Sequence, residues 1–343
     1  MPKPVAATRR RWFRFSLRSL LIVTVLGGGV MGWVAKERAQ SLREEEIVKN
    51  LKAPSSAVEF RGPFDLRTVA HDKQTGWRRL AGRLFGSRVI GLNVARSSLD
   101  DLAPLANLTR LEWLDVRLTQ VRDLGPLANL KTLEALVVAG TDIRDLTPLA
   151  RLDNLEQIDV SFTRVSDLAP LKELTKLTVV YMGGSDVSDL SPLANLTQLR
   201  ELSAFGTTIR DLSPVRRMAN LELLDLCDTQ VDDLSPLSGL TNLRELRICT
   251  TPVREIFPLA TLTGLQSLIA FGSRMDDVRP LVELPSLTEI DVCYTPVRDF
   301  RPLVKAESLR RIRVDPKQMT EEQMKELRSA IKTNCQIEVH GGN

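Results

Sequence analysis

Prolines stand at Pro104, Pro126, Pro148, Pro170, Pro192, Pro214, Pro236, Pro258, Pro280 and Pro302, each 22 residues after the one before. Ten periods without an insertion restrict the chain to an array of stacked coils, because a unit this short cannot bury its own apolar face and must lean on its neighbours. Within each period the apolar residues follow L-x-x-L-x-L-x-x-T-x-V, as in Leu111, Leu114, Val116, Thr119 and Val121, or Leu243, Leu246, Ile248, Thr251 and Val253. A further copy, Val89, Leu92, Val94, Ser97 and Leu99, precedes them without the proline segment.

The L-x-L alternation predicts a short strand with one buried face, and the following DLxPL segment predicts a helical turn. Asp101, Asp123, Asp145, Asp167, Asp189, Asp211, Asp233, Asp277 and Asp299 head those turns, with Glu255 once. Acceptors there satisfy orphan N–H groups, and proline is tolerated in a first turn because its missing N–H would be unpaired anyway. Capping explains this column better than a calcium ladder does. The ninth position is Thr or Ser from Thr119 to Thr295, which predicts hydroxyls bonding the turns of neighbouring coils.

On these residues the chain resembles the leucine-rich repeat family, and its 22-residue DLSPLANLTNL coil is most similar to the internalin-like bacterial branch. The resemblance covers about Val89 to Val314. It implies an α/β solenoid, a horseshoe with a parallel concave sheet and short helical turns on the convex side, and a binding role. Two departures limit what it implies about partners: Thr or Ser replaces the family's usual Asn at the ninth position, and no immunoglobulin-like segment follows the repeats.

Charge is unevenly divided. Residues 1–100 hold 19 Lys and Arg against 8 Asp and Glu, residues 101–316 hold 24 against 31, and residues 317–343 hold 4 against 4. The basic balance therefore belongs to the N-terminus, and nucleic acid is not an expected partner of the acidic repeats. Residues 1–18 form a basic tail with Arg9, Arg10, Arg11, Arg14 and Arg18, and residues 19–35 carry no charge. Seventeen such residues are at the short limit for one transmembrane helix, and the arginine bias orients it with the tail cytoplasmic and the repeats extracytoplasmic. A cleaved signal peptide is the rival, but cutting after Ala35 puts bulky Trp33 where a small residue is wanted. Gly28 and Gly32 form a GxxxG suited to pairing two anchors. The RRRWFRFSLRSLL block ahead of repeats also resembles single-pass, membrane-anchored leucine-rich repeat proteins of bacteria, which implies membrane attachment through residues 19–35.

Residues 36–57 are expected as a stalk helix whose weak apolar side is Ala39, Leu42, Ile47, Val48 and Leu51, and residues 58–88 as an N-terminal cap in which Trp77, Leu80, Ala81, Leu84 and Phe85 cover the first coil. Arg78, Arg79, Arg83 and Arg88 are a solvated face or a contact for anionic headgroups. Repeats fill residues 89–316. Residues 317–343 make a C-terminal cap, with a Thr320–Gln323 capping box opening a helix and a final strand at Ile337 and Val339.

Catalysis needs an acid, base, nucleophile or metal within reach of another group. The two histidines, His71 and His340, lie at opposite ends of a sheet that eleven strands make roughly 48 Å long. Neither a phosphate-cradling loop nor a dinucleotide fingerprint is present. No catalytic residue, metal or cofactor is expected. Cys227, Cys249 and Cys293 share the seventh coil position and Cys335 lies beyond. Cα atoms of the first two fall about 4.8 Å apart on neighbouring strands, within disulfide range, but parallel in-register side chains hold their Cβ atoms apart.

The stack leaves the third, fifth, seventh and eighth coil positions pointing outward. The seventh row reads Arg117, Ala139, Ser161, Gly183, Phe205, Cys227, Cys249, Phe271, Cys293, an apolar seam from Phe205 onward. Tyr181, Leu223, Ile269 and Tyr294 lie beside it, and Asp225, Glu245, Arg247, Glu289 and Asp291 border it. Aromatic area rimmed by charge is the composition of a protein-binding patch. Trp113, Asp115 and Arg117 form a second, smaller candidate. The expected function is non-catalytic binding of a protein or cell-envelope ligand on the concave face. A structural spacer and a thiol-redox or metal protein using Cys227 and Cys249 are the alternatives.

Overall fold

Parallel strands one period apart lie in register because backbone groups of one coil bond those of the next. Thirteen strands follow one another in chain order through one sheet in a computed structural model that describes residues 17–51, 58–61, 88–315, 317, 320–330 and 335–339. They are β1 (Val58–Arg61), β2 (Arg88–Asn93), β3 (Trp113–Asp115), β4 (Ala135–Val137), β5 (Gln157–Asp159), β6 (Val179–Tyr181), β7 (Glu201–Ser203), β8 (Leu223–Asp225), β9 (Glu245–Arg247), β10 (Ser267–Ile269), β11 (Glu289–Asp291), β12 (Arg311–Val314) and β13 (Gln336–Val339). From β3 to β12 each central residue pairs with its equivalent 22 positions on, as Leu136 with Ile158 and Leu224 with Leu246. The ladder continues past the strand ends, where Val116 N–H donates to Val137 O at 2.9 Å and Leu118 N–H to Ala139 O at 2.8 Å.

Opposite the sheet, each coil closes through a 3-10 turn such as Ser191–Leu193, with proline in its first two positions. The aspartates cap these turns from one residue further out than the cap position itself. Asp189 Oδ1 accepts the Ser191 N–H at 2.7 Å and Asp233 Oδ1 that of Ser235 at 2.8 Å, while Leu190 and Leu234 fill the cap positions and turn inward to the core. Hydrogen bonds from the Ser191 hydroxyl and N–H, and from the N–H and hydroxyl of Ser213 and Ser235, hold the Asp189, Asp211 and Asp233 carboxyls below their ordinary range. Leucines, valines and isoleucines of every coil, with Phe300 and Leu327 near the end, make one continuous core.

The ninth-position hydroxyls act differently from the expectation. Thr119 Oγ1 donates to Val116 O at 2.6 Å and Thr229 Oγ1 to Leu226 O at 2.7 Å, so each closes its own coil rather than bridging to the next. The reason lies one residue earlier. Leu118, Phe162, Asp228, Thr250 and Tyr294 have φ between 55° and 58°, and Gly140, Gly184, Gly206 and Gly272, at the same coil position, between 63° and 67°. This left-handed residue folds the chain back over its own strand, which brings the next hydroxyl onto the carbonyl three residues behind.

Two compact units divide the chain, residues 1–46 with 60–88 and residues 47–59 with 89–343. Helix α1 (Leu17–Asn50) runs unbroken for 34 residues through the expected anchor and most of the expected stalk. Among the described residues no helix is long and apolar enough to cross a membrane. In the first unit Arg88 is buried, with Nε 2.6 Å from a Glu44 carboxylate that is itself fully buried and Nη1 3.3 Å from Glu37. It is therefore not on a solvated or headgroup-facing surface; a buried guanidinium requires carboxylate partners, and the helix supplies them. Arg78, Arg79, Arg83 and the helix expected around Trp77 lie outside the described residues. In the second unit Ile47, Val48 and Leu51 pack against the repeat core, and at the far end Thr320 and Gln323 form the capping box, at 2.8 and 3.2 Å, of helix α2 (Glu321–Ala330).

A Cβ added at Gly206 meets nothing closer than the Gly184 backbone at 3.7 Å, so Gly206→Ala tests the left-handed conformation free of crowding. Denaturant unfolding should show a loss of about 1–2 kcal/mol, the cost of a Cβ in that region; an unchanged midpoint would mean that the turn relaxes.

Candidate functional site

The outward rows consist of side chains the stack does not consume. In register along the sheet, Gln157, Val179, Glu201, Leu223, Glu245, Ser267 and Glu289 form the third-position row, and Asp159, Tyr181, Ser203, Asp225, Arg247, Ile269 and Asp291 the fifth. Of the expected site residues, Tyr181, Phe205, Leu223, Asp225, Glu245, Cys227, Cys249, Ile269, Phe271 and Asp291 are half-buried, and Arg247 and Tyr294 are exposed.

Cys293 departs from the expectation. It is 0% exposed and cannot present its thiol to a ligand. Burial and the neighbouring Asp291 push that thiol up to about 12, as removal from water does to any group that must become an anion. The seam therefore ends at Phe271, whose ring meets Tyr294 edge to face at 5.0 Å. Asp225 and Asp291 are also more constrained than border residues need be: each accepts the N–H two residues on, Cys227 and Cys293, at 3.1 Å. Asp115 makes the same bond to Arg117 and is buried, so most of the second candidate patch is local support.

Cys227 and Cys249 are free thiols on neighbouring coils. Cys249 N–H donates to Cys227 Sγ at 3.3 Å, and the hydrogen bond between the two thiols, with burial, pushes the Cys227 thiol up. Among the described residues no group of three or more His, Cys, Asp or Glu side chains is placed to hold a metal ion.

One functional-looking residue escaped the sequence reading. Phe162, in the eighth position, is 61% exposed with φ 56°. Left-handed backbone is strained for a bulky side chain, and exposing the ring recovers no burial. Its ring lies against Gly184 of the next coil, with Cδ1 2.7 Å from where a Cβ would stand, and it meets Phe205 edge to face at 5.4 Å. Phe205 comes from the coil beyond and lies across Gly183, where a Cβ would overlap its ring. Two phenylalanines from alternate coils thus join over a coil that contributes only Gly183 and Gly184. The signal was present in the sequence as that glycine pair, where other coils have one glycine or none at these two positions.

No family model matches the chain, and no curated protein matches it. Among solved structures, an internalin, InlF, from Listeria monocytogenes superposes with a TM-score of 0.66 over 90% of this chain and 92% of its own, at 22% identity. An internalin C2 from the same organism is 31% identical over 55% of this chain and 83% of its own, with a TM-score of 0.52. The chain belongs to the leucine-rich repeat proteins. The leucine-rich repeat ectodomain of the membrane receptor kinase GASSHO1/SCHENGEN3 from Arabidopsis thaliana, solved in complex with CASPARIAN STRIP INTEGRITY FACTOR 2, shares the fold at 17% identity, with a TM-score of 0.56 over 65% of this chain and 30% of its own. In this leucine-rich repeat protein the sheet face carries the two aromatic pairs just described.

Beside the first pair, the Tyr181 hydroxyl donates to the Glu201 carboxylate. Burial, then Glu201, pushes the phenol from 10.0 up to about 12. A raised acid pKa contributes stability that is complete below pH 10 and is lost as pH climbs through 12. Alkaline absorbance titration should show a phenolate appearing near pH 12 that Tyr181→Phe removes; a Tyr181 phenolate appearing near 10 would contradict the hydrogen bond to Glu201.

Proposed function

We propose that this protein is a membrane-anchored, non-catalytic leucine-rich repeat protein that holds its repeats outside the cytoplasm and binds a protein or cell-envelope ligand on the sheet face. The observation that carries the binding role is the presence of exposed aromatic side chains, Phe162 and Tyr294 at 61% and 51%, in left-handed backbone that favours glycine. Retaining them costs conformational energy and exposes apolar area, which their edge-to-face contacts with Phe205 and Phe271 offset only in part. Likeness to internalins and to a receptor ectodomain solved with its ligand supports the same reading.

Attachment rests on sequence and physics: 17 uncharged residues at 19–35, five arginines on one flank, and a helical backbone from Leu17 onward. The positive-inside rule sets the orientation. Protease added to cells whose outer barriers have been opened should digest the repeats and spare an N-terminal tag. The opposite pattern would reverse the orientation, and release of the whole chain in soluble form would remove the anchor.

For binding, Phe205→Asp with Phe271→Asp in the full chain should abolish capture of the ligand from envelope extracts. Because Phe205 pairs with Phe162 and Phe271 with Tyr294, each substitution made singly should cost on the order of 0.5–1.5 kcal/mol of stability, below the roughly 2–5 kcal/mol expected for Leu202→Ala, a fully buried residue. Capture lost only in proportion to unfolding, or unchanged, would favour a structural spacer.

A further inference from the structure

The outward rows of four consecutive coils, from β5 to β8, carry Asp159, Glu201, Asp225 and Asp228 and not one Lys or Arg. The first cation met along the sheet is Arg247, already committed to Glu245 at 2.6 Å and Asp225 at 3.8 Å. Carboxylates elsewhere on this face have cationic partners: Glu289 lies 2.8 Å from Arg313 and 3.4 Å from Arg311. Asp159 and Glu201 differ. Asp159 Oδ1 accepts the Ser161 N–H at 2.9 Å, Glu201 accepts the Tyr181 hydroxyl, and no ion pair involves either among the described residues. Both are on strands adjoining β6, Asp159 in register with Tyr181, Glu201 one strand further on in register with Val179. The same three coils carry Phe162 and Phe205, joined at 5.4 Å over the glycine pair.

Aromatic surface beside two carboxylates, each held by a neutral donor and each left with an unneutralised charge, is complementary to a cation with an apolar stem. Cations are attracted to aromatic faces and to carboxylates alike, and arginine combines a stacking plane with a fork of donors. The Cα atoms of Asp159 and Glu201 lie about 9.6 Å apart across the sheet and about 6.6 Å apart along it, since Asp159 is in register with Tyr181 and Glu201 with Val179, so a cationic head laid beside the Tyr181 ring comes between the two carboxylates. Peptide rather than a small ammonium ion fits the surface, because the outward rows continue to the Phe271–Tyr294 pair three coils beyond Phe205, roughly 14 Å at the strand spacing, or about four residues of extended chain.

We propose that Asp159, Glu201, Phe162 and Phe205 form a receptor for an arginine or lysine side chain presented by an extended segment of a protein partner. The proposal rests on the binding role assigned to the sheet face and adds the charge and position of the group recognised. Glycine at 183 and 184 makes the seat, since a side chain at either position would displace a ring.

The test uses the full chain and three fluorescein-labelled peptides of sequence Gly-Ser-X-Gly-Ser-Gly-Leu-Gly, with X as arginine, lysine or citrulline. Citrulline keeps the shape of arginine and removes its charge. Fluorescence anisotropy should show the arginine and lysine peptides binding at least tenfold more tightly than the citrulline peptide, with affinity falling as salt is raised. Asp159→Asn with Glu201→Gln should abolish that difference, because the amide oxygens still accept from Ser161 and Tyr181 while the charge is gone. Phe162→Ala should weaken the arginine peptide, and an unchanged urea midpoint in the amide variant confirms that the fold is intact. Equal binding of citrulline and arginine peptides, no binding of any, or a charge preference that survives the amide substitutions would each overturn the inference. If the envelope ligand is lost on Phe205→Asp with Phe271→Asp yet still captured by the Asp159→Asn, Glu201→Gln variant, the binding face stands and only this cation receptor falls.

Discussion

The backbone ladder between coils governs everything else in the repeats. Because Val116 N–H reaches Val137 O and Leu118 N–H reaches Ala139 O, and their equivalents do the same along the array, every position of one coil sits against the same position of the next. Inward positions become columns of leucine, valine and isoleucine. Outward ones become rows in which a residue's neighbours are 22 positions away. Burial of the inward columns supplies the apolar driving force, but the ladder fixes which residues meet.

The ladder also explains how little freedom remains for function. Most polar residues of a coil are occupied: aspartates before the 3-10 turns hold N–H groups, hydroxyls close the left-handed bend, and Asp225 and Asp291 brace the start of the seventh position. Departures from the repeat are therefore the informative positions. Phe162, Gly183, Gly184 and Phe205 depart together, on three consecutive coils, and meet in space.

Much of this was legible in the sequence. The 22-residue period, the inward columns and the Thr320–Gln323 capping box are each local patterns whose physical meaning does not depend on distant residues. Phe205 and Phe271 could be placed outward by alternation alone. What escaped depended on conformation or on contacts far apart in the chain. Alternation says nothing of φ, so the left-handed eighth position went unread although Gly140, Gly184, Gly206 and Gly272 marked it. Without it, Thr119 and its equivalents were assigned to the wrong coil, and Phe162 was passed over. Cys293 shares the coil position of Cys227 but is fully buried where that residue is only half so, a difference the period cannot carry. Arg88, expected on a solvated face, found its carboxylate 44 residues earlier in the chain, on the helix expected as a stalk.

The glycine pair has a consequence for how such a surface changes over time. Since rows advance by one whole coil, loss or duplication of a single 22-residue unit moves a side chain along the sheet by one strand, about 4.8 Å, with no intermediate setting. Removing the coil that holds Gly183 and Gly184 would force two rings onto adjacent strands with no gap between them. Adding a coil there would part them altogether. Point substitutions adjust the chemistry of this face gradually, whereas its spatial intervals are quantised by the repeat, and recombination between near-identical coils is the natural way to step from one interval to the next.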